Sequence, residues 1–152
     1  VPVVVDPKKK NFDLYRNVSL FTPNLKELKE DLKIDFRAPD KEMLDDTVDL
    51  LRQKINAEHA LITLSEHGIY ISSRNGNKTD SHILPAHKRN IADVSGAGDT
   101  VVSVASLCLS AGVEPRLLAE ISNLAGGIVC EKVGVVPIDR ERFMEELSKL
   151  GR

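Results

Sequence analysis

An α/β fold, with a mainly parallel sheet flanked by helices, is the class this sequence predicts, and three observations predict it. Short, continuously apolar runs recur at Val3–Val5, Val18–Phe21 and Ala60–Leu64, the pattern of strands buried on both faces of a parallel sheet. Segments with apolar residues at 3–4 spacing lie between and after them, as crossover helices would. The chain has 152 residues, 41% of them hydrophobic. At that length folding buries on the order of 70% of the unfolded chain's surface, enough for a core without staples.

Each element can be justified in order. Val3–Val5 is short and β-branched, and Asp6-Pro7-Lys8-Lys9-Lys10-Asn11 follows as a polar loop. Val18–Phe21 forms a second strand that Thr22-Pro23 stops, because proline cannot donate to a ladder. Asn24 to Leu32 reads as a helix with Leu25, Leu28 and Leu32 on one face. A polar stretch at Arg37–Asp40 leads to a longer helix, Lys41–Ala57, carrying Leu44, Val48, Leu51 and Ile55. Ala60–Leu64 is the next strand. The Glu66-His67-Gly68 turn joins it as a hairpin to an alternating run, Gly68–Ser72. Asn75-Gly76-Asn77 marks another turn, with a short strand expected around His82–Leu84. Beyond Gly98 the pattern becomes helical, at Asp99–Ala111, Pro115–Glu131 and Asp139–Leu150. Gly112 and Pro115 separate the first two, and Asp139 is placed to cap the last.

Composition narrows the function. A net charge of −2 gives no basic field for nucleic acid or an anionic membrane surface, and 4% aromatics without tryptophan gives little for bases to stack on. No apolar run approaches the roughly 18–20 residues of a membrane span, and the charges of Asp6–Lys10 come too early for a secretory leader. Cys108 and Cys130 sit in apolar helical patterns without a CxxC or a Cys/His pairing, so they read as buried thiols. His59, His67, His82 and His87 show no metal spacing and read as surface or turn residues. The expectation is a cytoplasmic protein acting on small molecules, with no nucleic-acid or membrane partner. A buried strand as the first element leads us to expect that sequence precedes Val1.

Two segments carry chemistry. Asp93-Val94-Ser95-Gly96-Ala97-Gly98-Asp99-Thr100 stands directly before a long apolar helix. Small residues at Gly96, Ala97 and Gly98 let amides point at an anion where the helix dipole favours negative charge. Asp99, in the first turn, would be a base beside it. The same residues could instead make a tight turn, with Asp99 merely complementing the dipole. The pattern GxxxxGK[ST] is absent, and Val101 stands where GxGxxG needs Gly or Ala, which excludes both common nucleotide loops. The second segment is Asn24-Leu25-Lys26-Glu27 at a strand-to-helix junction. It reads either as a capping box or as an amide and a carboxylate presented at the carboxyl edge of the sheet, where one Glu could reach Mg²⁺ through water. Asp6 and Lys8, Thr63–Gly68, and Asn123 within a helix are further candidates.

In this order the segments resemble the ribokinase-type (PfkB) carbohydrate kinases, over nearly the whole chain. Gly-Ala-Gly-Asp after Asp-x-Ser is that family's signature, Asn24-x-x-Glu27 matches its NxxE motif, and Thr63–Gly68 matches its TxGxxG loop. The resemblance implies the C-terminal part of a ribokinase-like fold, in which residues 1–152 form the nucleotide-binding half and an N-terminal sugar-binding half is absent. It implies an anion hole at Gly96, Ala97 and Gly98, and a catalytic base at Asp99. Nucleotide would be bound by Asn24, Glu27, Thr63, Gly68 and Asn123, with Gly134 in the last nucleotide-side loop. Glu27 would act toward Mg²⁺. ATP, Mg²⁺ and a monovalent cation are the implied cofactors, a sugar or sugar phosphate the partner, and a homodimer the assembly.

Within the family, Val4-Val5-Asp6-Pro7-Lys8, Phe21-Thr22-Pro23-Asn24 and Asp93–Val101 most resemble heptose 7-phosphate kinases. Those form the kinase half of the bifunctional enzyme of ADP-heptose synthesis. The implied reaction is phosphorylation at C1 of D-glycero-D-manno-heptose 7-phosphate for the lipopolysaccharide core. Kinases of ribose, fructose or another phosphosugar, or a non-catalytic ATP-binding module, are the alternatives. One departure is visible: Ser65 stands where the TxGxxG pattern has its middle glycine. With no sugar-binding half, the chain by itself is expected to be inactive.

Overall fold

The computed structural model describes residues 1–8, 11–36 and 40–150; the loop and polar stretch predicted over 6–11 and 37–40 therefore lie partly outside the described residues. The chain divides into two compact units, Val1–Leu84 and Pro85–Arg152.

The first unit is a five-stranded sheet in sequential order: β1 (Val4–Val5), β2 (Leu20–Phe21), β3 (His59–Thr63), β4 (Ile69–Asn75) and β5 (Lys78–Leu84). Helices α1 (Leu25–Leu32) and α2 (Lys41–Ile55) connect β2 to β3. That crossover makes β2 and β3 parallel, as β1 and β2 also are, while short turns make β3–β4 and β4–β5 antiparallel. The sheet is thus mixed, and the hairpin expected after Ala60–Leu64 is present. β5 is longer than expected because its first half is exposed and carries no apolar signal.

Period-two alternation sends Phe21, Ala60, Ile62 and Tyr70 to one face, where Leu28 of α1 and Leu44, Val48, Leu51 and Ile55 of α2 meet them. Each of the Phe, Leu, Ile and Val side chains among them contributes about 1.5–3 kcal/mol on burial. Phe12 joins this core edge-on to Phe21, ring centroids 5.2 Å apart, from a single 3₁₀ turn at Phe12–Leu14. One turn is too short to leave a periodicity, so the sequence pattern assigns no element there.

Arg52 is buried in the same unit. Its guanidinium donates to the carbonyls of Ala57 (3.1 Å), Glu58 (3.2 Å) and Ser72 (3.1 Å) and to the Ser72 hydroxyl (2.9 Å), tying α2 to β3 and β4. The Tyr70 hydroxyl donates to Asp45 at 2.7 Å, and burial together with that bond pushes the phenol well above its ordinary pKa.

The second unit contains α3 (Ala97–Ser110), α4 (Pro115–Val129) and α5 (Arg140–Leu150). Pro115 opens α4 at a position where no N–H is needed, and Asp139 caps α5 by accepting from the Arg142 amide at 3.1 Å. α3 and α4 approach closely: a Cβ on Gly126 would stand 2.8 Å from Val101 Cγ2. Arg89 lies over α4, where a Cβ on Gly127 would meet its Nε at 2.9 Å, and it pairs with Glu131 and Glu146. Arg142 pairs with the same two carboxylates. Cys108 and Cys130 are buried free thiols. Among the described residues no helix is long and apolar enough to cross a membrane.

Candidate active site

In the second unit, the Asp93–Asp99 segment is built by its own side chains. Gly96 takes the left-handed conformation, φ 77°, and a Cβ there would come 3.0 Å from Val135 Cγ1, so both backbone and space demand glycine. The turn leads into α3, whose first amides lack intrahelical acceptors. Ala97 N–H finds the Val94 carbonyl at 3.3 Å. The Gly98 and Asp99 amides have no acceptor among the described residues. Gly98 has open space where a Cβ would stand, so packing within the chain does not require its glycine. Asp99 is exposed in the first turn, and its carboxylate accepts no hydrogen bond among the described residues.

Asp93 is a residue whose part the sequence reading did not separate from the motif. Its Oδ1 accepts from the Ser95 hydroxyl (2.7 Å) and the Ser95 amide (2.9 Å), and its Oδ2 accepts from the Gly134 amide (2.9 Å). These bonds, the Ser95 hydroxyl first, hold the carboxyl below its ordinary pKa. Asn123, on α4, is half-buried and donates through Nδ2 to the Pro85 carbonyl at 2.9 Å, so part of its amide is already committed.

In the first unit, Asn24 and Glu27 make both halves of a capping box. Asn24 Oδ1 accepts the Glu27 amide at 2.8 Å, and Glu27 Oε2 accepts the Asn24 amide at 2.9 Å. Asn24 also pairs with Thr63 in a parallel bridge, and the Thr63 amide donates to the Pro23 carbonyl at 3.3 Å. The fold therefore brings Asn24, Glu27, Thr63 and the Thr63–Gly68 turn together at the carboxyl ends of β2 and β3. Asp6 follows β1 at the same edge and pairs with Lys8 at 3.3 Å.

The turn itself contains a conformational surprise. Ser65 has φ 53°, the left-handed region, at the place where the resemblance has glycine, and Gly68 follows with φ 95° and ψ −129°. Serine has taken the glycine conformation without the glycine.

Of the histidines, His67 lies in that turn and His82 is on β5 beside Asp80. His59 differs from its expected surface position. It lies within β3 with its side chain only 13% exposed, and its Nδ1 is buried with no partner among the described residues. Among the described residues no group of three or more His, Cys, Asp or Glu is arranged to hold a metal ion. Glu27 keeps one carboxylate oxygen outside the capping box, which suits a single contact to a hydrated Mg²⁺ rather than a protein cage.

Residues 1–141 match the profile of the pfkB family carbohydrate kinases. The chain belongs to this family. Bifunctional protein HldE of Syntrophotalea carbinolica is 38% identical over 148 residues, which cover 97% of this pfkB chain and 29% of that relative. The HldE of Stutzerimonas stutzeri is likewise 38% identical over 149 residues, 98% of this chain and 30% of its own. The chain thus spans under a third of the length of these relatives. Among solved structures, Escherichia coli phosphofructokinase-2 in complex with substrates and products superposes with a TM-score of 0.84 at 16% identity, covering 99% of this chain and 48% of that one. The ribokinase of Thermotoga maritima gives a TM-score of 0.71 at 19% identity, covering 97% of this chain and 49% of that one. The fold of this pfkB chain is accordingly ribokinase-like.

Proposed function

We propose that this chain is the nucleotide-binding, base-bearing part of a cytoplasmic ATP-dependent sugar kinase, and that its acceptor is the C1 hydroxyl of D-glycero-D-manno-heptose 7-phosphate. One observation carries the kinase reading: α3 opens on uncommitted Gly98 and Asp99 amides, with the exposed Asp99 carboxylate in the same turn. Unpaired amides at a helix N-terminus stabilise phosphoryl charge as it develops, and a free carboxylate beside them can take a proton. In the reaction the sugar hydroxyl oxygen attacks the γ-phosphorus in line, Asp99 accepts the hydroxyl proton, and the bond to the departing ADP oxygen breaks. Asn24, Glu27, Thr63, Gly68 and Asn123 serve the nucleotide side. Mg²⁺ bound with the nucleotide would neutralise phosphate charge, and Glu27 is the carboxylate that would hold it through water.

The heptose assignment is supported by the wording of Val4–Lys8, Phe21–Asn24 and Asp93–Val101, and by relatives that carry the name bifunctional protein HldE. Its test is ADP release by the natural gene product that carries these residues, with Mg-ATP and a panel of heptose 7-phosphate, ribose, fructose and fructose 6-phosphate. Release that needs heptose 7-phosphate is expected, and Asp99→Asn should lower kcat by roughly 10²–10⁴ with ATP binding kept, the usual worth of a positioned base. Release with a different sugar would retain the kinase and discard the heptose. Full activity of Asp99→Asn would remove Asp99 as the base.

A further inference from the structure

Asp93 takes no part in the chemistry proposed above, yet three donors converge on it. We propose that Asp93 is a positioning residue, which holds the Gly96–Asp99 turn in catalytic geometry by clamping it to the turn at Gly134. The inference rests on the kinase reading for its catalytic consequence, and on geometry alone for the clamp.

The chain segment before α3 is tied to the segment after α4 at three levels. The Ala92 and Asp93 amides both donate to the Cys130 carbonyl, at 2.9 and 3.1 Å. The Asp93 carboxylate then spans from Ser95 to the Gly134 amide. One step further, Gly96 lies against Val135 so closely that a Cβ would meet Cγ1 at 3.0 Å. Gly134 has φ 79°, a left-handed turn that aims its N–H at Asp93.

All three groups facing Asp93 are donors, so only an acceptor-only side chain satisfies both sides, and ionised Asp is acceptor-only. Asn would keep one acceptor oxygen and present an NH₂ group to the other side, converting one clamp bond into a donor–donor contact. Beyond the clamp the chain runs within a few residues into Gly98 and Asp99. A displacement of about 1 Å at such groups costs about 10²-fold in rate, even when the altered residue lies away from the chemistry.

The test uses the natural gene product with the sugar that supports ADP release. Asp93→Asn should lower kcat by about 10–100-fold with the KM values for ATP and sugar changed by less than about 3-fold, the pattern of an interaction felt in the transition state. Combined with Asp99→Asn, it should cost less than the product of the two single losses, because the two residues act as one unit. Independently of turnover, the Gly98 and Asp99 amide resonances should move in Asp93→Asn while those of α5 stay in place. Unchanged kcat, unmoved amide resonances, or activity restored to the original level by raising potassium chloride would each overturn the clamp; the last would make Asp93 a cation ligand instead. If the unmodified protein releases no ADP with any sugar, the kinase reading falls, and the amide resonances still decide whether Asp93 sets the turn.

Discussion

At the residue scale, Ser65 shows how a motif position can keep a glycine's backbone geometry while carrying a side chain. A non-glycine residue in the left-handed region pays roughly 1–2 kcal/mol for the approach of Cβ to the carbonyl oxygen. Glycine would remove that strain and add about 0.4–1 kcal/mol of unfolded-state entropy against folding. Ser65→Gly should therefore raise stability slightly, by up to about 1 kcal/mol, seen as a higher urea midpoint with unchanged slope. A lower midpoint would mean that the Ser65 side chain makes a stabilising contact outweighing its strain. Gly68 is the opposite case: its φ 95°, ψ −129° backbone is open almost only to glycine, and the residue is buried. Gly68→Ala should cost about 1–3 kcal/mol in the same measurement.

At the element scale, α1 and α4 show local signals that mean more than one thing. The Asn24–Glu27 box satisfies the first amides of α1, and Asn24→Ala should cost about 1 kcal/mol of stability by loss of the cap alone. Asn24→Asp keeps an N-cap acceptor, so it should hold the melting temperature. If Asn24 also serves nucleotide, Asp there should weaken Mg-ATP binding in calorimetry while leaving the fold intact. Unchanged affinity would reduce Asn24 to its capping role. This is why NxxE was legible as a junction and not as a site: one hydrogen-bond pattern satisfies both readings until a ligand is present. The helices themselves were legible, with ends within two residues, because apolar spacing and the Asn24, Pro115 and Asp139 signals agree. Gly126 and Gly127 were not. In sequence they are only a helix penalty of about 1 kcal/mol each, whereas in space they admit Val101 and Arg89. Gly126→Ala should thus destabilise by about 1–2 kcal/mol, overpacking against the stiff Val101 outweighing the gain in helix propensity.

At the scale of the whole molecule, pH gathers contributions that no single element reveals, and His59 separates from the carboxylates. Burial pushes the His59 imidazole below its ordinary value of 6.5; Glu58, 3.5 Å away, opposes that shift and Arg52 adds to it. In the unfolded chain His59 takes up a proton as pH falls through about 6.5, while the folded state still resists it. The unfolded state then binds more protons, so stability declines from about pH 6.5 downward until the folded imidazole also protonates. The carboxylates act later. Burial raises Asp45, but bonds from Ser81, Tyr70 and Lys41 outweigh it. Glu146 is lowered first by Arg89, and Asp93 by Ser95. Their contribution is complete above the unfolded carboxylate range near 4 and is lost as pH falls through their lower folded values. Stability measured by urea unfolding should therefore decline in two stages as pH falls, one that begins near pH 6.5 and one below about 4. His59→Gln, which cannot titrate, should flatten the first stage and leave the second. A first stage that persists in His59→Gln would assign it to another group, and loss of both stages would mean that the substitution disturbs the sheet itself. His59 lies in register with Ser73 on β4, whose hydroxyl is also buried with no partner among the described residues, so these two polar atoms stand on paired strands. That placement explains why the sequence reading put His59 at the surface. Nothing in a lone histidine between Glu58 and Ala60 marks it as interior until the β3–β4 register is known.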